Sequence, residues 1–431
     1  MRIRHFGILL LASLVLAACG EAAPAATSIA NTAVPPPTTT LEPPPTASPN
    51  PTATRETVAL ETAVPPTEQS PTETPTSPPA ASATATTAPT TTEPLPTPVA
   101  IVELAGATVP PGFSFIKFAD LYRPTSLSFD NAGQLYATSF DGTVHILSDE
   151  DGDGRSDSDT VFANGFSTAL GITLRPGSSD VYVSSNGQIT LLRDENGDDR
   201  ADVRQQVVSG LPTGLHQNDN LKFGADGWLY MGLGSTCDAC VEADSRSASL
   251  MRFNVDTGES EIIATGLRNP YDLAFHPATG DLFATDNGRD DLGLDSPFEE
   301  LNHIIVGGDY GWPGCWNERE GSDCTGTQTA VAFFEPHSSA NGLDFYSGSQ
   351  FPADYQNNAF VAIFGTFLTD GVQTGIARVQ LTPDGSSYQS TVSWFAQWPN
   401  GRPLPLIVGP DGALYVGDYI NDAIYRISYR N

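Results

Sequence analysis

Asp226-Gly227-Trp228-Leu229-Tyr230 is the stretch that decides the fold: a turn signal followed at once by aromatic and apolar residues of the kind a strand buries. The figure returns at Gly133-Gln134-Leu135-Tyr136, Asp180-Val181-Tyr182-Val183, Gly280-Asp281-Leu282-Phe283, Asn358-Ala359-Phe360-Val361 and Asp411-Gly412-Ala413-Leu414-Tyr415. With Tyr136, Tyr182, Tyr230, Phe283, Phe360 and Tyr415 as markers, the steps are 46, 48, 53, 77 and 55 residues. Periods near 45 suit four-stranded blades, and no long 3.6-residue periodicity interrupts the runs. The expected fold is therefore all-β, a six-bladed β-propeller over residues 106–431. Its ring should close by pairing Phe113-Ser114-Phe115-Ile116 with Ala423-Ile424-Tyr425-Arg426-Ile427. The 77-residue step holds Trp312-Pro313 with Cys315 and Cys324, and insertions in repeat folds map to loops on one face, often the binding face.

Ahead of the repeats, Arg2, Arg4 and His5 precede the apolar run Phe6 to Val15 and the close Leu16-Ala17-Ala18-Cys19-Gly20. The run is too short to span a bilayer and its flanks suit a cleaved leader. Residues 1–19 are predicted to be a lipoprotein signal peptide, with lipidation at Cys19. The protein would then be exported and lipid-anchored, on the outer side of the cytoplasmic membrane or the cell surface. Residues 20–105 are dominated by Pro, Thr, Ala and Ser, which cannot bury enough apolar surface to offset ordering entropy, and read as a disordered tether. At about 3.1 Å per residue such a tether reaches on the order of 200 Å.

The formal charge of −31 includes −6 from residues 20–100 and +2 from Arg2 and Arg4, leaving −27 on residues 101–431. A field of that sign repels phosphate backbones, so nucleic acid is excluded as a partner. Besides Cys19 there are Cys237, Cys240, Cys315 and Cys324. In an exported domain four thiols point to two disulfides, and proximity pairs Cys237 with Cys240 and Cys315 with Cys324. A redox or zinc motif at Cys237-Asp238-Ala239-Cys240 is the alternative, without a second nearby ligand pair.

Two acidic loops repeat 45 residues apart. In the first, Asp149, Asp151, Asp153 and Asp157 stand at alternate positions around Gly152 and Gly154; in the second, Asp194, Asn196, Asp198 and Asp202 repeat the pattern. Such spacing lets one loop turn several oxygens toward a calcium ion. Yet the twelfth position is Thr160 or Gln205, not the bidentate Glu of an EF-hand loop, and a solvated inter-strand turn accounts for the pattern equally.

From His216 a further series runs through Leu221-Lys222-Phe223-Gly224-Ala225-Asp226-Gly227 to Gly266-Leu267-Arg268-Asn269-Pro270, Asp286-Asn287-Gly288 and Glu300-Leu301-Asn302. It continues with Gly307-Gly308-Asp309-Tyr310-Gly311-Trp312-Pro313, Gly401-Arg402 and Gly409-Pro410-Asp411-Gly412. In this order the segments are specific, and residues 110–431 resemble the soluble glucose/sorbosone dehydrogenases. The resemblance implies a six-bladed propeller that uses pyrroloquinoline quinone (PQQ) and Ca2+ to oxidise a sugar at its aldehyde or hemiacetal carbon, passing electrons to an external acceptor. By position it makes His216 the base that takes the anomeric hydroxyl proton, a task suited to an unperturbed pKa of about 6.5. Arg268, Asn269 and Arg402 match cofactor contacts, and the backbone carbonyls of Gly288 and Arg289 match ligands of the catalytic calcium. Tyr310 and Trp312 would wall the substrate pocket. The family's glucose oxidisers carry an Asp before the His and another beside it, where this chain has Leu215 and Ser235. They also place a Lys on the cofactor, for which His337 or Arg378 is the substitute here. Two other functions fit a propeller with these departures: a non-catalytic surface module binding a glycan or cell-wall partner, and a calcium-dependent lactone hydrolase.

Overall fold

The computed structural model describes residues 101–430; the leader, Cys19 and most of the tether lie outside them. Among the described residues the only helical turn is the 3-10 segment Ala353–Tyr355, and the rest of the regular structure is strand. Among the described residues no helix is long and apolar enough to cross a membrane.

Six sheets form the blades, each built on four antiparallel strands, with a short fifth strand added in parallel to blade 3. Blade 1 runs from Pro124–Phe129 to Ser158–Ala163, blade 2 from Gly171–Leu174 to Val203–Ser209, and blade 3 from Asn218–Phe223 to Ser260–Thr265. Blade 4 spans Leu273–Phe275 to Ala332–Phe334 and blade 5 Ala340–Phe345 to Ser387–Gln397. Blade 6 takes three strands from the C-terminal end, Pro403–Val408, Leu414–Asp418 and Ala423–Tyr429, and its fourth, Phe113–Asp120, from the start of the domain. Phe113 pairs with Tyr429 and Ile116 with Arg426, the closure expected from the sequence. All six aromatic markers sit on the second strand of a blade, where a flat side chain packs against the neighbouring blade. The cluster joining blades 5 and 6 contains Trp398, Phe115, Tyr346 and Phe360, each essentially inaccessible, and Tyr346 stacks on Phe351 with centroids 4.3 Å apart.

Toward the axis the innermost strands replace apolar contact by a chain of side-chain hydrogen bonds. Ser126 Oγ donates to Asn220 Oδ1 (2.8 Å), Asn220 Nδ2 donates to Asp272 Oδ1 (2.7 Å), and Asp272 Oδ2 accepts the Leu343 N–H (2.9 Å). Strands of blades 1, 3, 4 and 5 are tied there, although Asp219 Oδ2 in the same blade 3 strand is buried without a partner.

The long fourth step is an insertion between the last two strands of blade 4, Glu299–His303 and Ala332–Phe334. It lays Gly308–Asp309 alongside blade 3 and carries the small hairpin Cys315–Trp316 with Glu320–Gly321. Both expected disulfides form, Cys237 with Cys240 and Cys315 with Cys324. The sulfurs of Cys237 and Cys240 are bonded to each other, which sets aside the zinc alternative. Each acidic loop joins the last two strands of its blade, blades 1 and 2. In the first, Asp149, Asp151 and Asp153 bring oxygens within 4.8 Å of one another. In both, the carboxylates cap their own loop: Asp149 accepts the N–H of Gly152 and Gly154, Asp157 those of Glu150 and Asp151, Asp194 those of Asn196, Gly197 and Asp199, and Asp202 that of Glu195.

Candidate active site

Backbone hydrogen bonds set four chain segments side by side where blades 3 and 4 meet. The His216 N–H donates to Ser235 O (3.0 Å), the Ser235 N–H to Arg268 O (2.7 Å), and the Asn287 N–H to Asn269 O (3.2 Å). Residues far apart in sequence thereby line one cavity of about 270 Å3: His216, Arg268, Asn269, Asn287, Gly288, Asp290, Glu299, His337 and Ser339, with the loop Phe364–Leu368. Gly234 makes the approach possible, since a Cβ there would stand 2.4 Å from His216 Cβ and 2.9 Å from Asn269 Oδ1.

The hydrogen bonds of His216 fix its tautomer. Ser235 Oγ lies 2.7 Å from Cys237 O and 3.0 Å from His216 Nδ1. Its single proton goes to the carbonyl, so the hydroxyl oxygen accepts from Nδ1–H and the lone pair is left on Nε2. Among the described residues Nε2 has no protein partner. Burial, and then the charge of Arg268, push the imidazole down to about 3, so it is neutral across ordinary pH.

Arg268 is buried, with its charge divided between two carboxylates. Nη2 donates to Asp238 Oδ1 (2.7 Å) and Asp290 Oδ2 (3.0 Å), Nε to Asp238 O (3.2 Å), and Nη1 to Asn287 O (3.3 Å). Of the five N–H groups of a guanidinium, one on Nη1 remains. His337 also lines the cavity, but its Nε2 lies 2.7 Å from Gly293 O and its Nδ1 3.3 Å from Asp290 Oδ1, so both nitrogens are engaged by protein. Among the described residues the side-chain amide of Asn269 has no partner, and Asn269 lines the cavity.

Four expected residues, Arg402, Tyr310, Trp312 and Arg378, lie elsewhere. Arg402 turns its guanidinium onto Phe364 O (3.0 Å) and Thr366 O (2.8 Å) and covers the Phe367 ring at 4.1 Å. Two carbonyls and an aromatic face satisfy it there, so it supports the cavity wall without reaching into the cavity. Tyr310 is buried, its hydroxyl donating to His303 O (2.5 Å) and accepting the Ile305 N–H (2.9 Å). Trp312 Nε1 donates to Asp238 O (3.1 Å). Both belong to a small space on the far side of Arg268 and Gly288, not to the cavity of His216. Arg378, the other substitute for the lysine, is tied to Asn358 and Asp354 and is likewise absent from the lining. The Arg289 side chain is committed to Asp291 and Pro313 O.

The sequence reading missed the buried acids around the Gly288 loop. Glu299 accepts the N–H of Gly288 (2.6 Å) and Ser339 (3.3 Å), and Asp286 accepts those of Arg268 (3.1 Å) and Asn269 (2.7 Å). Burial raises Asp286 to about 7 and Glu299 and Glu300 to about 8, Glu300 being pushed further by Asp286. Asn287 Oδ1 and Asn302 Oδ1 are buried beside them with no donor. Of these, Glu299 and Asn287 line the cavity, while Asp286 and Glu300 line the small space beyond Gly288; a buried acid beside an orphaned carbonyl oxygen offers donor types that a hard cation takes. A polycarboxylate would find the free Nη1–H of Arg268 and the Asn269 amide, while Asp290 opposes it. The lining therefore fits an anionic cofactor together with calcium, the cation balancing charge that Arg268 alone does not.

A family model described as a domain of unknown function, DUF7133, matches residues 105–428. The chain belongs to this family. This DUF7133 propeller is 25% identical over 248 residues to the aldose sugar dehydrogenase YliI of Escherichia coli strain K12, a match covering 51% of the chain and 62% of the relative. The matches to curated relatives span 53% to 62% of those proteins' lengths. Among solved structures it is similar to a calcium structure of a Trichoderma reesei enzyme of carbohydrate-active family AA12 (TM-score 0.68, 17% identity, 76% of this chain and 98% of that one). It is also similar to the holo form of the pyranose dehydrogenase PQQ domain of Coprinopsis cinerea (TM-score 0.66, 17% identity, 76% and 98%). At that identity the two structures speak for the fold. The resemblance to the soluble glucose/sorbosone dehydrogenases holds.

Proposed function

We propose that this protein is an exported, lipid-anchored sugar dehydrogenase that oxidises the aldehyde or hemiacetal carbon of a sugar with PQQ and Ca2+, handing electrons to an external acceptor. The observation that carries the reading is the neutral His216, its Nε2 lone pair free and Nδ1–H held by Ser235, in one cavity with Arg268 and Asn269. Bound there with calcium, PQQ would supply a two-electron acceptor whose carbonyl the cation polarises.

His216 Nε2 takes the proton of the sugar's anomeric hydroxyl, and Ser235 holds the ring in the tautomer that can do so. Arg268 and Asn269 bind carboxylate oxygen from one side of the cavity, and the Phe364 and Phe367 rings flank it on the loop that Arg402 supports. Glu299, the Gly288 segment and Asn287 are the cavity-lining groups that would meet the metal. The E. coli relative is an aldose sugar dehydrogenase and the C. cinerea structure a PQQ domain, which supports the same chemistry here. A lactone hydrolase needs side chains turned from the axis toward a ligand, whereas Asn220 and Asp272 are spent on each other and on neighbouring strands.

The test is to load the purified protein with calcium and PQQ and to follow dye reduction with a panel of aldoses. Turnover that His216→Gln lowers by 100-fold or more is expected. Absence of cofactor binding, or turnover indifferent to His216→Gln, would sink the proposal.

A further inference from the structure

The four-residue ring closed by Cys237 and Cys240 touches both halves of the site. Cys237 O receives the Ser235 hydroxyl that orients His216. One residue on, Asp238 Oδ1 holds Arg268 Nη2 and the Asp290 N–H (2.8 Å), and Asp238 O receives Arg268 Nε and Trp312 Nε1. Asp290 then extends the chain to Arg268 and to His337. At the base of the ring, Glu242 accepts the N–H (2.7 Å) and the hydroxyl (2.6 Å) of Thr236. Two polar side chains of the cavity, Arg268 directly and His216 through Ser235, are thus oriented from Cys237 and Asp238 in the connection between Leu229–Leu233 and Ser249–Phe253.

That connection has no strand of its own to hold Asp238 in place. A covalent ring removes the conformations in which the carboxylate and the Cys237 carbonyl point elsewhere. The ring is half-buried and followed by Val241, which is 91% exposed, so a small thiol can reach it.

We propose that the Cys237–Cys240 ring is the positioning element of this site, with Asp238 the positioning residue for Arg268, and that opening the disulfide uncouples the base and the anion clamp together. In the opening step a dithiol reductant attacks one sulfur through a mixed disulfide. The S–S bond breaks, Cys237 and Cys240 together gain two electrons and two protons, and the reductant leaves as its own disulfide. The effect on cofactor affinity rests on the dehydrogenase reading; the effect on His216 does not.

The test compares wild type, wild type treated with dithiothreitol, C237S/C240S, Asp238→Asn, Asp238→Ala and the control C315S/C324S. One readout is PQQ affinity in the presence of calcium and the absence of sugar. The other is the ring-nitrogen NMR spectrum of His216 in cofactor-free protein, assigned with His216→Gln. Opening the ring should weaken cofactor binding at least tenfold and turn the single Nδ1–H tautomer into a mixture, while C315S/C324S leaves both unchanged. Asp238→Asn, which keeps an oxygen for Arg268, should retain more affinity than Asp238→Ala. An unchanged His216 spectrum in folded C237S/C240S, or equal losses in the control pair, overturns the proposal. If C237S/C240S does not fold, the reductant titration and the Asp238 pair decide it. If wild type binds no PQQ, the dehydrogenase reading fails and the His216 spectra still judge the ring.

Discussion

Ser235→Ala isolates the base from the rest of the site. The serine is fully buried, and its hydroxyl serves two partners at once, Cys237 O at 2.7 Å and His216 Nδ1 at 3.0 Å. Truncation leaves a carbonyl and a ring N–H without their partner, each worth about 1–3 kcal/mol when fully buried. Both neighbours are only partly buried, so the combined cost should fall near 2 kcal/mol, a drop of a few degrees in Tm. For the rate, a hydrogen bond worth about 1 kcal/mol biases the tautomer roughly fivefold, and a mobile ring forfeits part of the 10²–10⁴-fold contribution of a placed general base. The expected kcat loss is therefore about 10- to 100-fold, with PQQ affinity unaltered because Arg268 and Asn269 keep their contacts. Dye-coupled kinetics at saturating sugar and a cofactor titration separate the two. A kcat within twofold of wild type, accompanied by the drop in Tm, would mean that the hydroxyl is structural only and that His216 is not the base.

Because Glu299 and Glu300 stay protonated to about pH 8 and Asp286 to about 7, all above their unfolded values, metal-free protein should lose stability as pH rises from about 4 to 8. Calcium binding beside Glu299 should release protons and tighten as pH rises toward 8; calorimetry in two buffers of different ionisation enthalpy measures this, and no proton release refutes it. Burial and Arg268 both depress His216, and a bound polyanion offsets the second, so its titration should move upward by a unit or more on cofactor binding, as NMR would record. Arg402→Ala frees the carbonyls of Phe364 and Thr366 and should speed hydrogen exchange across the Phe364–Leu368 loop tenfold or more and raise KM. Removing residues 424–431 takes away the strand that pairs with both Leu414–Asp418 and Phe113–Asp120, and should leave no cooperative thermal transition.

The ring was legible because each blade repeats one local decision. A turn residue, a short buried strand and a single aromatic recur at nearly fixed spacing, and local pattern decides most of a blade. The insertion that distorts the fourth step was visible too, and its disulfide with it. What local pattern does not carry is which way a side chain turns when two satisfying partners compete. Arg402 and Tyr310 stand in the expected motifs, yet the guanidinium takes the carbonyls of Phe364 and Thr366 and the hydroxyl takes His303 O and the Ile305 N–H. Glu299-Glu300 did leave a signal, two adjacent acids opening a strand that continues into buried Leu301 and Asn302. A strand that buries both faces has no reason to begin that way unless the acids serve a purpose there.

His216, Arg268 and Asn269 line one cavity, and the absent carboxylate beside the histidine has a physical explanation. A carboxylate at position 235 would point at Cys237 O, 2.7 Å from the present hydroxyl, and two acceptors would repel. Serine satisfies the carbonyl and still takes the Nδ1–H, so orientation of the base is kept while stabilisation of its charged form is given up. The negative charge that would have stood next to His216 stands one loop away on Asp238, where it neutralises Arg268. The consequence is a base held neutral by burial and by Arg268, whose proton affinity depends on what covers that guanidinium. Site occupancy and base strength are then linked by Coulomb interaction alone, without any movement of the blades.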